Sequence, residues 1–156
     1  MRKKAAPEDL WDRALQTLNA ARLLLDTTPD KSASCSYYAA MYGLQAIFLL
    51  EGKQLESHAA VWTAFHKERI KSRKWPEELG ELFGRVREDR ETGDYGGSAH
   101  VEPEEARKSL KAALAILEAI HKENPGKFPM ADGKSREIER RGIPVLIENR
   151  MAIVSL

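Results

Sequence analysis

Residues 37–50 leave the chain few choices of fold. Drawn as a helix, they place Tyr38, Met41, Tyr42 and Ala46 along one side and Tyr37, Leu44, Ile47 and Phe48 along others. A helix that is apolar nearly all round has no face to give to water, so it must be enclosed by protein. This segment is therefore the central element, and the rest of the chain has to supply its neighbours. Residues 30–34 offer cap side chains ahead of it, and Gly52 stops it.

The neighbours read as helices too. Pro7, Glu8 and Asp9 mark a start, because proline is tolerated in a first turn and acids face the positive end of the helix dipole. Trp11, Ala14, Leu18, Ala21 and Leu25 then form one apolar stripe, which Pro29 ends. Ser57 caps a third helix carrying Val61, Trp62 and Phe65. Pro76, Glu77 and Glu78 open a fourth, which ends near Arg90. Pro103, Glu104 and Glu105 open a fifth, with Ala106, Leu110, Ala113, Leu117 and Ile120 in line and Asn124, Pro125 and Gly126 as its end. The recurring proline–acid–acid starts are punctuation, not an internal repeat.

Short links between amphipathic helices imply antiparallel packing. The expectation is an all-α, up-and-down bundle of four to five helices over residues 7–124. Residues 125–156 form a C-terminal extension, with a short charged helix at 135–141 and a hairpin from 143–147 and 151–154.

A chain of 156 residues, 42% of them hydrophobic, suits one domain with a sizeable core. Cys35 is the only cysteine, which excludes an intrachain disulfide and a multi-cysteine zinc site. No two histidines stand four apart beside a carboxylate, and there is neither a glycine-rich phosphate loop nor a nucleophile elbow. No metal or cofactor is expected. Glu51, Lys53 and Glu56 interrupt the best candidate for a membrane span, and residues 1–7 lack the apolar run of a signal peptide. The expectation is a soluble cytoplasmic protein with no membrane partner. A net charge of +1 argues against a chain drawn to polyanions as a whole, but allows local basic patches.

The chemistry centres on the end of the fourth helix. Leu79, Phe83, Val86 and Arg90 fall at i, i+4, i+7 and i+11, almost in line at 3.6 residues per turn. Arg90 therefore arrives on a buried face, where a guanidinium needs partners. Asp94 is within reach if the helix continues through Gly93, and Tyr95 follows. Such a group is either a structural clasp or the floor of a polar site. Tyr38 and Tyr42, one turn apart, are core aromatics or share that polar site. Ala39 and Gly43 permit a close helix approach, within the bundle or across a dimer axis. His58, at a helix N-terminus where a cation is disfavoured, is a neutral structural histidine or a base reaching Arg90 and Tyr95. His66, His100 and His121 lie on polar stretches and read as solvated. The basic run at 67–74, flanked by Phe65 and Trp75, offers Lys71, Arg73 and Lys74 to phosphates and an aromatic ring to a base. Glu68, Glu77, Glu78 and Glu81 dilute its field, and the plain alternative is a solvated run.

Three motifs stand in order along the chain. They are Ser36, Tyr37, Tyr38 and Tyr42 in the central helix, Ser57 and His58 opening the next, and Arg90, Asp94, Tyr95 and Gly96 before the last. Over roughly residues 8–122 this set resembles the HEPN domains, most of all their small stand-alone bacterial and archaeal branch. The resemblance implies a four- or five-helix bundle that forms a homodimer. It also implies a place in a toxin–antitoxin system, with a nucleotidyltransferase antitoxin as partner. Many HEPN proteins are metal-independent ribonucleases in which a histidine follows an arginine by four to six residues. Here Arg90 matches the arginine and Tyr95 stands where the histidine is expected.

Metal-free RNA cleavage needs a base for the 2′-hydroxyl and an acid for the leaving oxygen. Histidine, with a pKa near 6.5, serves as either; tyrosine, near 10, donates a proton but is a poor base. Arginine steadies the phosphate in both cases. The resemblance therefore leads to an RNA- or nucleotide-binding domain around Arg90, Asp94 and Tyr95, weak or inactive as a nuclease. A ribonuclease using Arg90, Tyr95 and His58, or a purely structural dimer module, are the alternatives.

Overall fold

The computed structural model describes residues 5–130. Within them lie five α-helices and no strand: α1 (Pro7–Leu23), α2 (Pro29–Leu50), α3 (His58–Phe65), α4 (Glu77–Tyr95) and α5 (Pro103–Glu123). They make an up-and-down bundle. The expected helix at 135–141 and the hairpin at 143–147 and 151–154 lie outside the described residues.

Helix α2 is the hub, with α1, α4 and α5 all packed on it. Tyr37, Ala40, Met41, Leu44, Ile47 and Phe48 are buried, as an all-round apolar helix requires. The stripes of α1 and α5 face it, from Trp11 to Leu25 and from Ala106 to Ile120. The small residue Gly43 allows that contact. A Cβ there would meet Leu117 Cδ2 at 2.3 Å and Ile120 Cδ1 at 3.0 Å, so the close approach lies inside the bundle, between α2 and α5.

Proline 29 departs from its expected role. Helix α1 has already ended at Leu23, and Pro29 is the first residue of α2. Its preset φ and missing N–H cost nothing at that position, where the N–H has no intrahelical acceptor. Asp30 is thereby freed from capping and reaches across to the link before α5. Its Oδ1 accepts from Val101 N at 2.7 Å, and Oδ2 lies 2.7 Å from His100 Nδ1. These bonds, that to His100 first, hold the Asp30 carboxyl below its usual pKa.

Helix α4 also runs further than its pattern suggested, through Gly93 to Tyr95. The reason is contact with α2: a Cβ on residue 93 would lie 2.6 Å from Asp30 O. Glycine lets the last turn of α4 slide against the start of α2.

The link from α3 to α4 holds a second difference. Residues His66–Ile70 form a wide π-helical turn, closed by Lys71 N donating to His66 O at 2.8 Å. That turn sends Arg69 inward, where its side chain is only 2% exposed. The guanidinium pairs with Glu51 and Glu123 and lies over the rings of Phe48 and Trp75 at 5.1 and 5.5 Å. A run read as contacting phosphates or as solvated thus contributes an interior cation. The chain beyond α5 is tied down as far as Met130: Phe128 packs on Trp11, whose Nε1 donates to Pro129 O at 2.8 Å.

Candidate functional site

The buried line of Leu79, Phe83 and Val86 carries Arg90 to the edge of the core, with 18% of its side chain exposed. Nη2 donates to Tyr38 OH at 2.9 Å. Nε lies 3.1 Å from Asp94 Oδ2, an ion pair across one turn without the alignment of a hydrogen bond. Asp94 Oδ2 in turn accepts from Ser34 Oγ at 3.2 Å, which ties the pair to α2.

Three tyrosine rings surround the guanidinium: Tyr37 at 5.1 Å, Tyr38 at 5.5 Å and Tyr95 at 5.4 Å. Burial works against the charge, yet the bond to Tyr38 and the neighbouring Tyr38, Tyr95 and Asp94 outweigh it, and the Arg90 pKa is raised. The group stays a cation. Among the described residues its hydrogen bond and ion pair use Nη2 and Nε, so the Nη1 donors stand open to an incoming acceptor. Tyr95, 74% exposed, stands at the rim.

His58 joins this group through the tyrosines. Ser57 Oγ caps α3 by accepting from Ala60 N at 3.0 Å, which sets the histidine on the first turn. Its Nδ1 lies 3.1 Å from Tyr37 OH, and its ring is 5.6 Å from that of Tyr37 and 5.7 Å from that of Tyr38. Desolvation, helped by the charge on Arg90, lowers the His58 pKa. A ring already below 6.5 is neutral at pH 7. Burial pushes the Tyr37 phenol up, so it keeps its proton.

Arg90, Asp94, Tyr95, Tyr38 and His58 therefore converge. Tyr42 lies one step away, its ring 6.5 Å from that of Tyr38. Lys71, Arg73 and Lys74 do not join them. They are exposed just before α4, whereas Arg90 comes 13 residues after Glu77, about 20 Å along the axis. Lys74 is also engaged by Glu123 at 3.0 Å. Tyr37 and Ser34 are the members that sequence reasoning did not put here. For Ser34 the signal was present, since Ser34, Tyr38 and Tyr42 repeat at four-residue spacing on α2; the place of Tyr37 depends on how α3 packs on α2.

Of the other histidines, His100 is exposed as expected, while His66 and His121 are not simply solvated. His66 packs 4.4 Å from the Trp62 ring with Nε2 buried, His100 pairs with Asp30, and His121 Nδ1 lies 2.7 Å from Phe128 O. Among the described residues no cluster of His, Cys, Asp and Glu is arranged to hold a metal.

Desolvation also lowers the pKa of His66. For both His58 and His66 the unfolded chain binds its proton more tightly than the fold does. Their contribution to stability is fully present above the unfolded pKa of about 6.5 and is lost as pH falls through the folded values. Melting temperature is expected to drop between pH 7.5 and pH 5, and to drop less steeply in His58→Gln. Parallel melting curves of the two proteins across that range check this.

Known proteins resemble the chain over this same region. A model of the HEPN domain matches residues 7–124. A UPF0332 protein of Thermotoga maritima is 36% identical over 124 residues, covering 78% of this chain and 94% of that protein. A second UPF0332 protein, from Gloeobacter violaceus, is 34% identical over 113 residues, covering 71% and 90%. A Methanocaldococcus jannaschii protein that bears the name "Putative toxin" is 30% identical over 123 residues, covering 78% and 84%.

Proposed function

The chain belongs to the HEPN domain family, and on that premise we propose that it is a toxin-type HEPN protein that binds RNA or a nucleotide at Arg90 and is weak or inactive as a nuclease. One observation carries the reading. A permanently charged guanidinium is held by Tyr38 and Asp94 at the margin of the core, and its Nη1 donors are unclaimed. Fixed in orientation, it can meet a phosphate without first losing side-chain freedom. The exposed Tyr95 and the part-exposed Tyr38 offer ring surface for a base. Tyr95, in the place of the family's histidine, can donate a hydrogen bond to phosphate but accepts a proton poorly at neutral pH. By family resemblance the protein acts in the cytoplasm as a homodimer, with a nucleotidyltransferase antitoxin as partner.

Titration of labelled RNA and of ATP against wild type and Arg90→Ala tests the proposal. Loss of one charge-assisted phosphate contact predicts binding about 10- to 100-fold weaker. Equal affinity for both proteins would sink it.

One observation favours a second reading, ribonuclease activity. His58 is neutral, lies against the two tyrosines that hold Arg90, and can take a proton from a 2′-hydroxyl. Cleavage would then resist EDTA, leave cyclic-phosphate ends and vanish in both His58→Ala and Arg90→Ala. RNA left intact by the wild type rules that reading out.

A further inference from the structure

A line of partly exposed groups runs from the Arg90 site across α2 to α1. Arg90 Cζ lies 5.5 Å from the Tyr38 ring, the Tyr38 and Tyr42 rings are 6.5 Å apart, and Arg13 Cζ lies 5.7 Å from the Tyr42 ring. Helices α1 and α4 both pack on α2, so Arg13 and Arg90 stand at the two ends of a pair of rings one helical turn apart. Tyr38 and Tyr42 are only partly buried. Arg13 is exposed, and among the described residues no carboxylate pairs with it. Asp12, its neighbour, is turned along its own helix, where it accepts from Gln16 Nε2 at 2.8 Å.

A strand carries a phosphate between every two nucleosides, so two adjacent bases laid on the two rings put the outer phosphates at the two cations and leave the phosphate between them to solvent. The two guanidiniums, parted by two aromatic rings, suit the phosphates that flank a pair of adjacent nucleosides better than the single phosphate of a mononucleotide. The part-exposed rings of Tyr38 and Tyr42, each with a guanidinium over one side, can take unstacked bases on the surface left open, and a duplex keeps its bases inside. We infer that Arg13 and Tyr42 form a second subsite, and that the ligand of this surface is single-stranded RNA spanning at least two nucleotides. The inference rests on the Arg90 reading but asks for more than it: an extended strand with a second phosphate held at α1.

The test uses the full chain, a labelled six-nucleotide single-stranded oligouridylate, a six-base-pair RNA duplex and uridine monophosphate. Expected are tighter binding of the hexamer than of the other two, and hexamer binding weakened about fivefold or more by Arg13→Ala and by Tyr42→Ala. Tyr42→Phe, which keeps the ring, should bind as wild type. Binding of the monophosphate should be untouched by Arg13→Ala and reduced by Arg90→Ala. Arg13 is a surface residue, so its variant decides the matter even if Tyr42→Ala folds poorly. If Arg13→Ala holds the hexamer as wild type does while Arg90→Ala loses it, the second subsite is wrong and the Arg90 site stands; the stripe would then suit a protein partner. Preference for the duplex also overturns the inference. If wild type and Arg90→Ala are indistinguishable with all three ligands, both readings fall.

Discussion

Replacing Arg69 by alanine is expected to destabilise the protein by about 3–5 kcal/mol, the cost of breaking a buried ion pair by removing one partner. Two contributions lead there. The guanidinium balances Glu51 and Glu123, which would be left facing each other with only Lys74 in compensation. Its planar face covers Phe48 and Trp75, so truncation also opens a cavity against two rings. Glu51 and Glu123 still reach water, which sets the loss nearer the lower figure. For a domain of this size that corresponds to a fall in melting temperature of roughly 10–20 °C. Arg69→Met, which keeps the packing and drops the charge, should lose less. Urea denaturation with an unchanged slope measures both; a loss under about 1 kcal/mol for alanine contradicts the account of this cation.

The second large effect is expected at Gly93. A Cβ there meets the Asp30 carbonyl oxygen at 2.6 Å and the Asp30 carbonyl carbon and Cα at 3.2 Å. Backbone cannot rotate away as a side chain can, so Gly93→Ala must push the end of α4 off the start of α2, at a cost of about 1–3 kcal/mol. The displaced turn carries Asp94 and Tyr95, so RNA binding should weaken along with stability. Gly84 supplies the control. It lies on the same helix with only Trp62 at 4.0 Å, and Gly84→Ala should stabilise by about 0.5–1 kcal/mol through helix propensity. Unfolding curves and RNA titrations on the two variants check the contrast. Equal behaviour of the two would mean that α4 and α2 do not meet as closely as described.

The bundle was legible because period 3.6 writes itself into sequence. Leu79, Phe83 and Val86 announced the buried face of α4, and Arg90 and Asp94 announced their pairing by the same arithmetic. Three features were not legible, each for a physical reason. Arg69 turns inward because a π-helical turn inserts one residue into the helical count, and no periodicity reports that. Pro29 both follows an apolar stripe and begins the next helix, and only the position of the Leu23 terminus separates the two meanings. The bond of Tyr37 to His58 and the contact of Arg13 with Tyr42 join different helices, so they depend on how α1, α2 and α3 are placed rather than on local spacing. Part of the proposed site follows from one helix; the rest belongs to the packing.

Arg69 and Arg90, two of the interior arginines among the described residues, differ in one respect that bears on function. Arg69 is enclosed by carboxylates and rings, whereas Arg90 keeps donors turned to the outside. Side-chain 15N–1H spectra, recorded while a short single-stranded RNA is added, read both at once. The account predicts that the Arg90 guanidinium signals shift in proportion to binding while those of Arg69 stay still. Arg90 signals that do not move in a sample where the RNA is demonstrably bound would contradict it.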